Sequence, residues 1–210
     1  MSLELIAQGI FRLKVPFEEL YTSVFFVECG EEWAIIDCAT TECDVDFYIL
    51  PATERLQGNV THLLLTHGHG DHAGGAERML AHLPELCLGT AENWTRTPYR
   101  PIADGEILLN RLQVVYLPGH SRRSVGYLDL PTKTLLSGDC LQLAGVGKYV
   151  HGIAYPEQYI ASLDRLRDMP IKRIVASHDY EPLGYLAEGV DAVALYLDEC
   201  ERICRESYLK

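Results

Sequence analysis

The stretch Thr66-His67-Gly68-His69-Gly70-Asp71-His72-Ala73-Gly74-Gly75 concentrates metal-binding side chains in a short segment. Imidazole and carboxylate are the usual zinc ligands where thiolates are absent. His67 and His69 lie two residues apart, so in an extended segment they point the same way. Asp71 and His72 follow where the chain is predicted to turn into a helix, and the neighbouring glycines permit tight backbone paths. The pattern predicts a site that binds two adjacent metal ions.

Three further candidate ligands lie downstream, each at the end of a predicted strand. They are His120 after Pro118-Gly119, Asp139 after Gly138, and His178 after Ser177. Taken alone, a histidine or a Gly-Asp pair in such a place is more often an ordinary surface, core or turn feature. Together with the first motif they make seven candidates, five histidines and two aspartates. Seven ligands are too many for one zinc ion and suit two ions that share a carboxylate.

The candidate ligands follow apolar runs that predict strands and helices. Strands are predicted at residues 10–15, 23–28, 33–37, 60–65, 112–117, 124–130, 134–137 and 173–176. Helices are predicted at residues 44–56, 73–83, 157–167 and 187–208, with Pro51 as a potential kink in the first. No linker or internal repeat divides the chain, so we expect a single domain over residues 1–210. Its sheets would be covered by helices, with a site built from loops at strand ends.

The composition limits the kinds of partner and location. The 210 residues carry 30 acidic and 18 basic side chains, a net charge of -12. This balance argues against binding to nucleic acid or to anionic membranes, so we expect a small-molecule substrate. There are seven cysteines without a CxxC pair, no signal peptide is recognised, and no run approaches the roughly 18 apolar residues of a membrane span. We therefore expect a cytoplasmic protein with free thiols, and the sequence predicts no particular oligomeric state.

The motifs occur in the order His67-x-His69-x-Asp71-His72, Pro118-Gly119-His120, Gly138-Asp139 and Ser177-His178, and over residues 61–180 they resemble the metallo-β-lactamase superfamily of metallohydrolases. The resemblance implies an α/β (α+β) fold, a four-layer αβ/βα sandwich with the metals at one edge of two facing sheets. It also implies two ligand sets and a bridge: His67, His69 and His120 for one metal, Asp71, His72 and His178 for the other, and Asp139 between them. Ser177 departs from the glycine that is common before the last histidine, which should not prevent ligation.

The resemblance also implies a mechanism. Two zinc ions about 3.5–4 Å apart can hold a bridging hydroxide, the nucleophile, because coordination lowers the pKa of water to about 7. Iron or manganese are the alternative metals. Asp71 is the predicted catalytic residue, which orients the nucleophile or shuttles its proton. Asp37 and Thr66 resemble positions near the metals that fix the ligand tautomers.

Four residues are candidates for substrate binding. Arg122 and Arg123 directly follow a predicted ligand, and a guanidinium there could hold a carboxylate or phosphate of an anionic substrate. The segment 145–155 follows the predicted bridge, and its His151 and Tyr155 could donate to a substrate oxyanion. For the two arginines, a solvated loop that pairs with acidic surface groups is the alternative interpretation.

The predicted activity is hydrolysis of a small ester, thioester, lactone or related acyl substrate. We do not expect a glutathione thioesterase, because those relatives typically add a helical domain and only one helix fits after His178. The main alternative is an iron-dependent redox enzyme similar to persulfide dioxygenases, which use much of the first motif with a single iron. A phosphodiesterase or nuclease is a further alternative. The presence of all seven ligands favours the hydrolase.

Overall fold

The computed structural model describes residues 2–150 and 152–209 and contains two compact units, Met1–Ile102 and Ala103–Lys210. Each unit has its own sheet, its own helices and its own hydrophobic core. The single domain over residues 1–210 stays a prediction. No helix in the described ranges is both long enough and apolar enough to cross a membrane.

The sheet of the first unit has seven strands in chain order. They are β1 (Glu4–Ala7), β2 (Ile10–Phe17), β3 (Leu20–Cys29), β4 (Glu32–Ile36), β5 (Asn59–Leu64), β6 (Cys87–Thr90) and β7 (Arg100–Pro101). β1 to β4 pair antiparallel, and from β4 to β7 the pairing is parallel. The change matters for function, because parallel strands end at the same edge of a sheet.

The helices of the first unit are short. They are α1 (Glu42–Asp44), α2 (Leu50–Thr53), α3 (Gly70–Ala73) and α4 (Ala76–His82), with a π-helical turn, Val45–Ile49, between α1 and α2. The helix predicted at residues 44–56 instead begins at Glu42 and ends at Thr53, so both predicted ends are wrong. Thr41 begins α1 through a capping box in which its hydroxyl accepts from the Asp44 N–H at 3.1 Å. Pro51 lies in the first turn of α2, where its missing N–H is tolerated, and the irregular π turn precedes it.

The sheet of the second unit has six strands, in the spatial order β15-β14-β11-β10-β9-β8. They are β8 (Ile107–Leu108), β9 (Leu112–Tyr116), β10 (Val125–Asp129), β11 (Thr134–Gly138), β14 (Arg173–Ala176) and β15 (Leu186–Glu188). Only β11 and β14 pair in parallel. A separate hairpin is formed by β12 (Gly145–Val146) and β13 (Tyr149–Val150), within the segment 145–155 that follows Asp139.

Two long helices complete the second unit, α5 (Pro156–Arg167) and α6 (Val190–Tyr208). Each buries an apolar stripe in the core of this unit, with Tyr159 and Leu163 on α5 and Tyr196 and Cys200 on α6. The start predicted for α6, residue 187, is wrong because Leu186–Glu188 pairs with β14 as the edge strand β15. Tertiary pairing here overrides the helical pattern of the sequence.

Candidate metal centre

Two parallel strands place the first motif of the first unit at one sheet edge. β4 ends at Ile36 and β5 at Leu64, and the Asp37 N–H donates to the Leu64 carbonyl at 3.0 Å. Asp37 therefore lies beside Thr66 and His67, although they are far apart in the sequence. The edge formed by the carboxyl ends of parallel strands is where α/β proteins commonly bind their ligands.

Asp37 is the fully buried centre of a hydrogen-bond network. Its Oδ1 accepts from the Thr66 N–H at 2.8 Å, and its Oδ2 accepts from the Thr66 hydroxyl at 2.8 Å and from Nδ1 of His72 at 2.7 Å. The Thr66 hydroxyl accepts in turn from Nδ1 of His67 at 3.0 Å. These bonds assign the protons of both histidines to Nδ1 and leave their Nε2 lone pairs for a metal. The predicted role of Asp37 and Thr66 in fixing tautomers agrees with this geometry.

The four candidate ligands of the first motif lie close together. The His67 ring centroid is 4.6 Å from that of His69 and 4.3 Å from that of His72. Asp71, on α3, has its Oδ2 at 3.5 Å from Nε2 of His72. His67 and His72 are buried, Asp71 is half-buried and His69 is exposed. The first unit thus presents two imidazoles from the interior and two further donors toward solvent.

Close backbone packing explains the glycine pair that ends this motif. A Cβ on Gly74 would lie 2.0 Å from the Thr40 carbonyl oxygen, and one on Gly75 would lie 2.3 Å from that of Cys38. The Cys38 N–H donates to the His72 carbonyl at 2.7 Å, and the Cys38 thiol donates to the same oxygen at 3.3 Å. Burial raises the pKa of this thiol well above its ordinary value. Cys38 is therefore a neutral packing residue that supports the backbone of His72.

The second unit brings its three candidate ligands together in the same way. β11 and β14 are parallel, and Asp139 and His178 follow their carboxyl ends. Oδ1 of Asp139 is 3.5 Å from Nε2 of His178, and Oδ2 is 3.9 Å from Nε2 of His120. All three side chains are buried. The two carboxylate oxygens face different histidines, which is the arrangement that a carboxylate shared by two ions requires.

Two residues that the sequence analysis missed hold these ligands. Nε2 of Gln142 donates to Oδ2 of Asp139 at 3.2 Å, and its Oε1 accepts from the Gly152 N–H at 2.5 Å. The Gly152 carbonyl accepts from Nδ1 of His120 at 2.7 Å. His120 therefore has the same tautomer as His67 and His72, with the Nε2 lone pair directed to the ligand side. No sequence pattern marks Gln142, because its partners are defined only by the folded loop.

Of the four predicted substrate contacts, the structure brings two together. Nε of Arg122 donates to the Tyr155 hydroxyl at 3.1 Å, and the guanidinium lies 5.3 Å from the centroid of the same ring. The Tyr155 N–H donates to the Gly119 carbonyl at 2.8 Å, next to His120. Arg123 is exposed, and His151 lies outside the described residues.

Comparisons with known proteins agree with this fold and these motifs. The model of the metallo-beta-lactamase superfamily matches residues 18–85. A hydroxyacylglutathione hydrolase of Vibrio cholerae is 31% identical over 149 residues, which are 69% of this chain and 58% of that protein. An atrochrysone carboxyl ACP thioesterase of Cryptosporiopsis sp. is 28% identical over 174 residues, which are 80% of this chain and 49% of that protein. The chain spans less than two thirds of the length of these curated relatives.

The likeness to solved structures extends over nearly the whole chain. The DIM-1 metallo-β-lactamase superposes with a TM-score of 0.78 at 16% identity, covering 98% of this chain and 97% of that one. At that identity the likeness shows the fold alone, a mixed α/β architecture of the metallo-β-lactamase type, as the sequence predicted. The chain belongs to the metallo-β-lactamase superfamily.

Proposed function

We propose that this chain is a metal-dependent hydrolase of a small acyl substrate, with a thioester as the favoured member of that class. The observation that carries the proposal is the carboxylate of Asp139, whose two oxygens face His120 and His178 separately. The names of two relatives support the substrate class, since one is a hydroxyacylglutathione hydrolase and the other an ACP thioesterase.

In this proposal two ligand sets bind two zinc ions. The first set is His67, His69 and His120, and the second is Asp71, His72, Asp139 and His178, with Asp139 shared. The donor chemistry fits, because His67, His72 and His120 each use Nδ1 as a donor and keep Nε2 for a metal. Bound zinc would supply an ionised water at neutral pH and a Lewis acid for the carbonyl.

The protein groups would orient the reactants. Asp71 is half-buried, beside Nε2 of His72 at 3.5 Å, and we assign it the catalytic role of holding the attacking water and accepting its proton. Asp37 and Thr66 keep the imidazoles of His67 and His72 from turning. A fixed ligand set lowers the reorganisation needed when the substrate reacts.

The test is elemental analysis of protein purified without added metal or chelator, followed by hydrolysis of a panel of esters, lactones and thioesters, with glutathione among the thiol carriers. We expect about two zinc ions per chain and turnover of a thioester. Asp139→Asn should lower both zinc content and turnover, and Asp164→Asn, on the exposed face of α5, should lower neither. One iron per chain with little zinc, and oxygen consumption in place of hydrolysis, would favour the redox alternative.

We also propose that Arg122 and Tyr155 bind an anionic group of the substrate. The bond from Nε to Tyr155 and the stacking on its ring hold the guanidinium in place and leave its terminal nitrogens as a fork for a carboxylate. Within residues 2–150 and 152–209, Arg122 forms no ion pair with an acidic side chain, in a protein of net charge -12. Arg123 and His151 remain candidates for the same role.

This assignment predicts a selective effect on substrate binding. Arg122→Gln should raise KM about tenfold or more for a thioester that carries a carboxylate, since a charged hydrogen bond contributes about 1.5–3 kcal/mol. For a neutral thioester of the same size, KM should stay at the wild-type value. Steady-state kinetics with the charged and the neutral thioester test this assignment, and an equal rise in both KM values would contradict it.

We propose that the protein works in the reducing cytoplasm and that neither nucleic acid nor membrane is its partner. All seven cysteines are free thiols in the structure, which suits a compartment that keeps thiols reduced. The acidic net charge disfavours contact with phosphate backbones and anionic lipid.

A further inference from the structure

Gln142 is a buried amide, 6% exposed, in the loop that follows β11. Both polar ends of its side chain are bonded, Nε2 to Asp139 Oδ2 at 3.2 Å and Oε1 to the Gly152 N–H at 2.5 Å. Burying an amide costs free energy unless its polar atoms find partners. These two bonds therefore specify where the side chain lies.

The second of these bonds leads on to another ligand. Gly152, which donates its N–H to Gln142, accepts from Nδ1 of His120 through its carbonyl at 2.7 Å. Nε2 of His120 in turn lies 3.9 Å from Oδ2 of Asp139, so the chain of contacts returns to the carboxylate where it began. One amide side chain thus connects the orientation of the carboxylate with that of the imidazole.

The carboxylate needs such a partner. The terminal torsion of an aspartate is broad, so the rotamer of Asp139 does not by itself decide which oxygen faces which histidine. The donor from Gln142 holds Oδ2 toward His120 and leaves Oδ1 toward His178, at 3.5 Å. A neutral amide does this without a positive charge that would repel a metal ion.

The backbone around Gln142 is anchored independently of any metal. The Gly145 N–H donates to the Gln142 carbonyl at 3.0 Å, and the Ala144 N–H donates to the Glu181 carbonyl at 2.8 Å. Next to Gly152, the Ile153 N–H donates to the Tyr208 hydroxyl at 3.3 Å. The two loops that the amide joins are therefore held in place before a ligand binds.

We propose that Gln142 is a positioning residue of the metal centre, which orients the carboxylate of Asp139 directly and the imidazole of His120 through Gly152, and thereby sets the affinity for the metal ions. The inference rests on the proposed metal-dependent function. Groups that hold metal ligands typically contribute 10–100-fold to metal affinity, and Gln142 serves two ligands.

The experiment compares Gln142→Met with the matched control Gln158→Met, at an exposed position of α5. Methionine has about the length of glutamine and lacks both hydrogen-bonding ends. Each protein is stripped of metal, and its zinc affinity is measured by competition with a chromophoric chelator. We expect Gln142→Met to bind zinc about 10–100-fold more weakly, and the control to bind as the wild type does. The Tm of the metal-free proteins and the visible spectrum after loading with Co²⁺ are recorded alongside.

The outcomes separate the possible roles. Weaker zinc binding with an altered Co²⁺ spectrum supports the proposal, also where the metal-free variant melts at a lower temperature. Wild-type affinity overturns it, and so does weaker binding with an unchanged Co²⁺ spectrum, because that result assigns Gln142 to folding alone. If the wild-type protein itself takes up no zinc or Co²⁺, the metal-dependent function fails and this inference fails with it.

Discussion

At the scale of single residues, Asp37 shows how one buried side chain can serve both folding and the site. Its carboxylate accepts three hydrogen bonds, two from Thr66 and one from His72. Its backbone has a φ of 61°, a conformation in which aspartate and asparagine are the most tolerated non-glycine residues. The residue that turns the chain away from β4 is thus also the one that orients the first motif.

We expect Asp37→Asn to destabilise the metal-free protein by about 1–3 kcal/mol, because the new amide group would face a buried donor and leave it without an acceptor. Asparagine has about the size of aspartate and also tolerates the left-handed backbone, so the change in stability reports the loss of the carboxylate acceptor. Urea unfolding measures it, with Asp46→Asn as the control, since Asp46 pairs with Arg78 where both side chains are 34% exposed. If Asp37→Asn lowers the free energy of unfolding no more than the control does, the hydrogen-bond network contributes little to stability.

At the scale of elements, the contact between α4 and the loop after β4 depends on glycine. A Cβ on Gly75 would overlap the Cys38 carbonyl oxygen at 2.3 Å and a methyl of Val45 at 2.4 Å. Backbone atoms cannot move aside as a side-chain end can, so the whole loop would have to shift. Because Cys38 also donates to the His72 carbonyl, that shift would reach a ligand.

Gly75→Ala should therefore lower the free energy of unfolding by about 3 kcal/mol or more, the upper range for overpacking. Gly70→Ala is the matched control within the same motif, since a Cβ there meets nothing within 4 Å and alanine favours the first turn of a helix. Thermal unfolding of the metal-free variants tests the difference. Similar melting temperatures for both would mean that the loop adapts easily.

At the scale of the whole molecule, the thiols report on folding. Cys43 is exposed, Cys29 and Cys87 are half-buried, and the other four cysteines are buried. Burial raises the pKa of Cys200 to about 12, whereas an unfolded thiol ionises near pH 8.5, roughly. The folded state thus holds a neutral thiol, whose contribution to stability is complete below about pH 8.5 and is lost as pH rises toward the folded value.

Two results follow from the burial of these thiols. At pH 8, a thiol reagent should modify Cys43 first and reach all seven thiols only after denaturation. The free energy of unfolding should fall between pH 8.5 and 10, roughly, and less steeply in Cys200→Ala. Fast modification of more than three thiols in the native protein would contradict the burial of the other four.

Much of the architecture could be predicted from local patterns. The strands at residues 10–15, 60–65 and 173–176 were found within a few residues, because runs of apolar and β-branched side chains reflect burial directly. Short edge strands such as β7 and β8 could not be predicted, since two residues carry no periodicity. The late start of α6 was decided by a tertiary contact, the pairing of Leu186–Glu188 with β14.

The sequence by itself determined the family and the candidate ligands, because the residue types and their spacing suffice to identify histidines and aspartates that can bind metal. Only the tertiary structure decided what holds those ligands. Asp37 reaches His72 because β4 and β5 pair in parallel, and Gln142 reaches His120 because two loops fold against each other. Ligand identity is a local property of the chain, whereas ligand orientation depends on partners that are brought together by strand register and loop packing.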